Sequence, residues 1–390
     1  MSNGRVAQGV KSVNRFMDSM RASRRAYVVR CFGRGLVGLG GVVLAGALVV
    51  GGGMVVSAVA EPKPNPQKLK VRDLKIESRR ITHFDRTNPL RTQFGQLEFI
   101  GGLRLSSSDK TFGGWSGIAV DEDGRGFVAV SDAGLWMTGK FDYRDGRLSG
   151  VQGLSGGPLK ALNGSNLRRE RDRDAEAIEF VSGASTRGRV LIAFEQNHRI
   201  GRFNVGPQGL SAPKSYVRPN KSRGRMSSLK GFEAMTVLTR GRYRGSILAI
   251  SERKRDSKGR HTGWIFSGGK GRSFSLTDIA GYDITGAAIL PGGDVVVLER
   301  RFNWLEGVKM RLRRLPLEKV RPGANLEGQV LLEATMAQDI DNMEGIAVHR
   351  DAKGNAIITV MSDDNFNRLF QRTIVLQFRL GKKNARLAKP

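Results

Sequence analysis

Cysteine is nearly absent: Cys31 stands alone in 390 residues, which excludes a disulfide framework and any zinc site built from several thiolates. Histidine is almost as scarce. None of His83, His198, His261 and His349 falls in an H-E-x-x-H pattern, and there is no Gly-x4-Gly-Lys-Ser/Thr loop, so zincin chemistry and P-loop nucleotide hydrolysis are both disfavoured. Acids are in deficit, 36 against 65 basic residues, and arginine outnumbers lysine 45 to 20. Such a balance points to an anionic partner or to a surface that keeps the chain soluble, and it reports neither fold nor chemistry. The 39% hydrophobic content supports a substantial core and excludes a wholly disordered chain.

The first sixty residues read as an address. Residues 1–34 carry eight Lys or Arg and one acid, Asp18, and residues 36–60 then run without a charge. That pattern fits an export signal or, at about 1.5 Å per helical residue, an anchor long enough for a hydrocarbon layer of about 30 Å. The small residues Ala58-Val59-Ala60 favour cleavage before Glu61, and Ser23-Arg24-Arg25-Ala26-Tyr27 resembles a twin-arginine signal. The basic segment should remain cytoplasmic, so the remainder is expected to be exported: periplasmic, or anchored in the inner membrane facing the periplasm. Residues 61–95, polar and rich in Pro and Lys, read as a linker, 96–380 as the folded domain and 381–390 as a basic tail. The residues after Ala60 still carry a net charge of +22.

From Gln96 onward, short β-branched runs alternate with Gly/Asp turns, which predicts an all-β fold. Five segments align: Ser116-Gly117-Ile118-Ala119-Val120, Glu176-Ala177-Ile178-Glu179-Phe180, Glu233-Ala234-Met235-Thr236-Val237, Thr285-Gly286-Ala287-Ala288-Ile289 and Glu344-Gly345-Ile346-Ala347-Val348. Their small second residues recur 60, 57, 52 and 59 positions apart, a propeller period. A sixth blade assembled from the strands near residues 97–103 and 373–378 would join the termini and close the ring, so six blades are expected after the N-terminal signal or anchor helix, with five, or seven including one unseen repeat, as the alternatives.

Acids recur after each second strand, as Asp132, Glu195, Glu252, Glu299 and Asp363-Asp364. Equivalent positions in a propeller share one height around the channel, so these acids, with Glu176, Glu233 and Glu344, should converge on one rim. Their repulsion can be relieved by hard cations such as Ca²⁺, by arginine partners such as Arg253, Arg300 and Arg301, or by retained protons.

Three stretches resemble the phytase-like family of exported bacterial proteins described as having esterase-like activity of phytase. They are Ser116-Gly117-Ile118-Ala119 with Ser131-Asp132, the run Val295 to Phe302 containing Leu298-Glu299-Arg300-Arg301-Phe302, and Glu344-Gly345-Ile346-Ala347-Val348 leading to Ser362-Asp363-Asp364-Asn365. The resemblance implies a hydrolase of phosphate or carboxylate esters acting on a small anionic substrate with a divalent cation, Ca²⁺, at the rim. It implies catalytic carboxylates Asp132, Glu195, Glu252, Glu299 and Asp363, substrate contacts from Arg253, Arg300 and Arg301, and metal ligands among Asp132, Glu176, Glu233, Glu344 and Asp364. The chain lacks the Asp-Asp-Pro-Ala segment of propeller phytases, so no single calcium ligand transfers.

Gly153-Leu154-Ser155-Gly156-Gly157 matches G-x-S-x-G, a motif that works at a strand-to-helix turn of an α/β sheet and is out of place here. His198 follows Glu195 closely enough to reach the rim. The arginine clusters at residues 168–173 and 311–314 are candidate phosphate contacts. Nucleic acid is not an expected partner; a membrane tether or an anionic envelope surface is. Two rival functions share the architecture: a calcium-dependent lactonase-like esterase, and a non-catalytic propeller whose rim acids are neutralised by arginine.

Overall fold

A computed structural model describes residues 49–50, 53–54, 61–218 and 231–381. Among them, β-branched runs bounded by glycine turns pair almost wholly antiparallel into five twisted sheets, each starting on an inner strand and stepping outward. Blade 1 comprises Trp115–Val120, Gly126–Ser131, Leu135–Arg144 and Arg147–Pro158; blade 2 comprises Ala175–Ala184, Arg187–Phe194 and Arg199–Gly206 with two short edge strands. Blade 3 runs Phe232–Val237, Ile247–Arg255, His261–Ser267 and Lys270–Leu276; blade 4 runs Asp283–Ile289, Val295–Asn303, Gly307–Leu315 and Gln329–Ala334. Blade 5 takes Met343–Arg350, Ala356–Ser362 and Thr373–Leu380 from the end of the domain and Leu97–Ser106 from its beginning.

The inner strands touch in the order 1, 2, 3, 4, 5 and back to 1, so the ring closes with five blades. The expected sixth blade is corrected. Thr373–Leu380 is the third strand of the fifth repeat, and Leu97–Ser106 pairs with it as the fourth, from Leu105 opposite Thr373 to Leu97 opposite Leu380. The two strands taken as leftovers complete a blade that the fifth repeat leaves short. Packing gives the same count. Residues along a strand alternate between faces, and a strand packed on both faces is apolar throughout. In Gly126–Ser131, Phe127 and Ala129 enter the cluster shared with blade 5, while Val128 and Val130 enter the one shared with blade 2. Five such clusters occupy the five blade interfaces.

The small second residues of the repeats are explained by this closure. A Cβ on Gly286 would lie 2.7 Å from the Glu344 carbonyl oxygen, and one on Gly117 3.0 Å from the Glu176 carbonyl oxygen. Neighbouring inner strands approach too closely for larger side chains.

Residues 61–95, composed like a spacer, supply edge strands to two blades. Arg72–Asp73 pairs with Ser155 and Gly156 on blade 1, and Glu77–Ile81 pairs on blade 5 with the strand Leu97–Ser106, from Glu77 opposite Ser106 to Ile81 opposite Gly102.

The helix expected over residues 36–60 is not supported. Within that stretch Val49–Val50 pairs antiparallel with Gly53–Met54, as suits a glycine-rich run that penalises helix formation. Among the described residues no helix is long and apolar enough to cross a membrane. The remainder of the signal or anchor segment, Cys31 and the basic tail after Gly381 lie outside the described residues.

Candidate functional site

Every inner strand carries a β-bulge at the same place. Pairing with the second strand skips one residue between Trp115 and Gly117, Ala175 and Ala177, Phe232 and Ala234, Ile284 and Gly286, and Met343 and Gly345. The skipped residues are Ser116, Glu176, Glu233, Thr285 and Glu344. A bulge leaves its extra residue outside the ladder and re-aims the side chain, and here five bulges form one ring around the axis. Two residues further along, Ile118, Ile178, Met235, Ala287 and Ile346 close the channel beneath with an apolar plug. The axial space among these residues, about 10 Å³, holds about one water. The acids therefore gather in a carboxylate funnel on one side of this plug.

A second ring follows from the same register. The residue one step beyond the partner of the residue that precedes each bulge is Asp132, Glu195, Glu252, Arg300 and Asp363, and it stands opposite Gly114, Asp174, Gly231, Asp283 and Asn342. The amides of Asp132, Glu195 and Asp363 donate to the carbonyls of Gly114, Asp174 and Asn342 at 3.0, 2.9 and 2.9 Å, and Arg300 pairs directly with Asp283. Two glycines make room for carboxylates: a Cβ on Gly231 would lie 2.3 Å from Glu195 Cγ, and one on Gly114, at φ +67°, would lie 2.3 Å from Asp132 Oδ1. A Cβ on Gly231 would also meet the Glu195 carbonyl oxygen at 2.4 Å and Cα at 2.5 Å, so Gly231→Ala is expected to displace the Glu195 backbone together with its side chain and to lower the melting temperature, measured by thermal unfolding.

This register corrects the placement of Glu299. It pairs with Ile284 and so stands where Ser131, Phe194, Ser251 and Ser362 stand in the other blades, one residue short of the rim. A shift of one residue turns a side chain to the opposite face of the sheet. Glu299 is fully buried within blade 4, where Arg311 Nε donates to it at 2.5 Å and Arg313 also binds it, while Arg300 takes the rim position. Removing the carboxylate leaves two guanidiniums buried, so Glu299→Ala should cost about 3–5 kcal/mol in urea unfolding. Any loss of function in that variant should follow from the loss of folded protein.

Within the funnel the geometry groups the acids. One carboxylate oxygen from each of Asp174, Glu176 and Glu195 lies within 4.8 Å of the others, and the same holds for Glu195, Glu233 and Glu252. Glu195 belongs to both triads. Asp132 Oδ1 and Asp174 Oδ2 are buried without a hydrogen-bond partner. Burial pushes the carboxyl groups of Glu176 and Glu233 well above their usual range, and the neighbouring carboxylates add to the effect. Asp363 is raised in the same way, by burial and then by Glu344 and Asp132. Glu195, less deeply buried, is pushed up to about 7 by burial and then by Asp174.

Three cations answer these acids. Arg300 donates to Glu344 Oε1 at 2.9 Å and Glu252 Oε1 at 3.3 Å and binds Asn342. Arg253, more than half exposed on the lip, reaches Glu252 Oε2 at 3.0 Å and Asp283 at 3.4 Å. Lys63 Nζ arrives from the N-terminal strap to sit 2.7 Å from Asp132 Oδ2.

Of the residues expected at the site, the structure brings together Asp132, Glu176, Glu195, Glu233, Glu252, Glu344, Asp363, Arg253 and Arg300. Arg301 points to the other side of its strand and pairs with Glu306 at 3.3 Å. Asp364 accepts from the amides of Gly114 and Phe366 and from the Thr373 hydroxyl at 3.0–3.1 Å, which fixes a loop. His198 lies edge-on to Phe232, with ring centroids 6.4 Å apart. Ser155 sits within a blade 1 strand, its hydroxyl donating to the Arg72 carbonyl at 3.3 Å, in none of the geometry of a nucleophile elbow. Arg311, Arg313 and Arg314 are buried in internal ion pairs. Asp174, Asp283, Asn342 and Lys63 were missed. The first three are found by stepping two residues back from each bulge; Lys63 has no such signal.

A sequence model of the family described as "Phytase-like: Esterase-like activity of phytase" matches residues 110–366. No curated protein sequence matches the chain. Solved structures with a similar trace include an endo-arabinase from Bacteroides thetaiotaomicron (12% identity, 68% of this chain and 94% of that chain covered, TM-score 0.42). Another is the β-propeller domain of Cps50 (Swd1) from Myceliophteria thermophila (8% identity, 79% and 96% covered, TM-score 0.36).

Proposed function

We propose that this chain, which belongs to the phytase-like family, is an exported propeller hydrolase of phosphate or carboxylate esters that works with a divalent cation, Ca²⁺ foremost, in the carboxylate funnel. The observation that carries the reading is the pair of carboxylate triads sharing Glu195, beside two buried carboxylate oxygens that lack partners. The donor set fits a hard cation: it consists of oxygens and contains no cysteine or histidine. Asp174, Glu176, Glu195, Glu233 and Glu252 would hold it. A cation bound there supplies Lewis-acid polarisation of a phosphoryl or acyl oxygen and eases deprotonation of water.

The chain's own groups divide the remaining work. Arg300, held in place by Glu252, Glu344 and Asn342, and Arg253 on the lip supply fixed positive charge for an anionic ester. Asp363, outside both triads, is pushed well above the usual carboxylate range by burial and then by Glu344 and Asp132, and it is the candidate proton donor to the leaving oxygen. The apolar side chains of the plug lower the local dielectric and strengthen the electrostatics above them.

A second reading is a binding propeller without catalysis, and the ion pairs of Arg300, Arg253 and Lys63 with funnel acids favour it. One experiment separates the two. The full chain, stripped with chelator, is assayed on p-nitrophenyl phosphate, p-nitrophenyl acetate and a γ-lactone while Ca²⁺ is restored. Turnover that returns with Ca²⁺ and is lost in Asp363→Asn supports the hydrolase and identifies its ester class. Absence of both Ca²⁺ binding and turnover of any class supports the binding propeller, its acids neutralised by Arg300, Arg253 and Lys63.

A further inference from the structure

At the end of the propeller opposite the funnel, blades 3 and 4 enclose a groove of about 440 Å³. The inner strands run from Glu233 and Thr285 at the funnel to Val237 and Ile289, and the loops that follow them line the groove with Arg240, Arg242, Tyr243 and Asp294. The turn after the third strand of blade 4 adds Glu318 and Arg321. Arg242 and Arg272 both approach the face of Tyr243, at 5.9 and 5.7 Å from the ring centroid. Gly293, with φ +101°, lets the Arg240 stem lie against the backbone: a Cβ there would meet Arg240 Cδ at 3.2 Å.

Arg300, Arg311, Arg313 and Arg314 are answered by carboxylates. Around this groove Arg240, Arg242, Arg272 and Arg321, all exposed, form no ion pair among the described residues. Asp294 does not neutralise them, because its carboxylate already holds Arg314 at 2.5 Å and the Leu317 amide at 2.9 Å. Glu318 is the other lining acid and is exposed. Several guanidiniums around a concave space of this size match the oxygens of phosphoryl groups, which arginine binds in bidentate fashion.

We propose that this groove binds phosphoryl groups, carried either by a soluble condensed or organic phosphate or by lipid headgroups, independently of the funnel and its cation. The site is assigned by position and charge to Arg240, Arg242 and Arg321, with Tyr243 as its wall and Arg272 against that ring.

The test titrates the full chain with tripolyphosphate in EDTA at about 150 mM NaCl, a salt level that screens diffuse surface attraction. Saturable binding is expected, reduced at least tenfold in Arg240→Ala/Arg242→Ala/Arg321→Ala and less than twofold in Arg187→Ala/Arg189→Ala. The latter pair lines another surface depression, on blade 2. Equal melting temperatures of the variants exclude unfolding as the cause. Vesicles of phosphatidylcholine with one-quarter phosphatidylglycerol then identify the source. Co-sedimentation that tripolyphosphate displaces assigns lipid headgroups, and tripolyphosphate binding without co-sedimentation assigns a soluble phosphate. The proposal is overturned if the triple variant binds tripolyphosphate as the parent does, if the control pair loses as much, or if neither probe binds.

Discussion

Glu195→Gln is expected to weaken Ca²⁺ binding by at least about 100-fold, since even loss of an outer-shell support costs 10–100-fold and this change removes a charged ligand. It should also disable both triads at once, because Glu195 is the member they share. The replacement is nearly isosteric and relieves repulsion, so the cation-free protein should melt no lower than the parent. Glu299→Gln should do the reverse: it weakens a buried pair with Arg311 and Arg313 and lowers the melting temperature, while the molecules that remain folded bind Ca²⁺ with parental affinity. Calorimetric titration and thermal unfolding of the two variants separate these effects. Parental affinity in Glu195→Gln, or a matching loss in Glu299→Gln, would contradict the assigned register.

In chelator, the melting temperature should fall by several degrees between pH 6.5 and 8.5, and saturating Ca²⁺ should abolish the fall. The folded-state pKa values of Glu176, Glu195, Glu233, Glu252, Glu344, Asp132 and Asp363 are all raised by burial first and then by neighbouring acids, against partial opposition from arginine or Lys63 at some of them. Between the unfolded carboxylate range, about 4–4.5, and those raised values the folded state binds more protons than the unfolded. Stability from this source is therefore fully present below the unfolded pKa and is lost as pH rises through the folded one, which for Glu195 is about 7. His261 and His349 act in the opposite sense, since burial lowers each to about 4, but that contribution is complete near pH 6.5 and lies outside the window. A cation replaces the protons, so its apparent affinity should rise with pH over the same range. A flat or rising melting temperature in chelator would mean that the funnel acids are ionised and paired.

Much of the fold was legible because propeller repeats write their geometry into the sequence. The small second residue in each of five segments is demanded by neighbouring inner strands, and the acids after the second strands mark the rim. Blade number was misread because closure is a pairing between distant segments. Nothing local in residues 97–106 reports that they complete the blade of residues 373–380 rather than begin another. Glu299 was misassigned for a related reason. An acid after an apolar strand looks equivalent in every repeat, but the face it occupies depends on its register against the bulge, and in blade 4 Glu299 pairs with Ile284, the residue just before the bulge, one step short of the rim. Lys63 was hidden by composition. Its Pro/Lys-rich surroundings read as a spacer, yet the strap is fixed by Asn166, whose side-chain amide donates to the carbonyls of Pro66, Gln67 and Leu69 at 2.9–3.1 Å.

The most direct test of the central claim, that the two carboxylate triads sharing Glu195 form a cation site, is anomalous diffraction from crystals of the full chain soaked in Mn²⁺ as a surrogate for Ca²⁺. The account predicts a peak in the funnel contacted by Glu195 and by members of one or both triads, removable by chelator. A funnel without a peak at saturating Mn²⁺, with Arg300, Arg253 and Lys63 still seated on the acids, would contradict it.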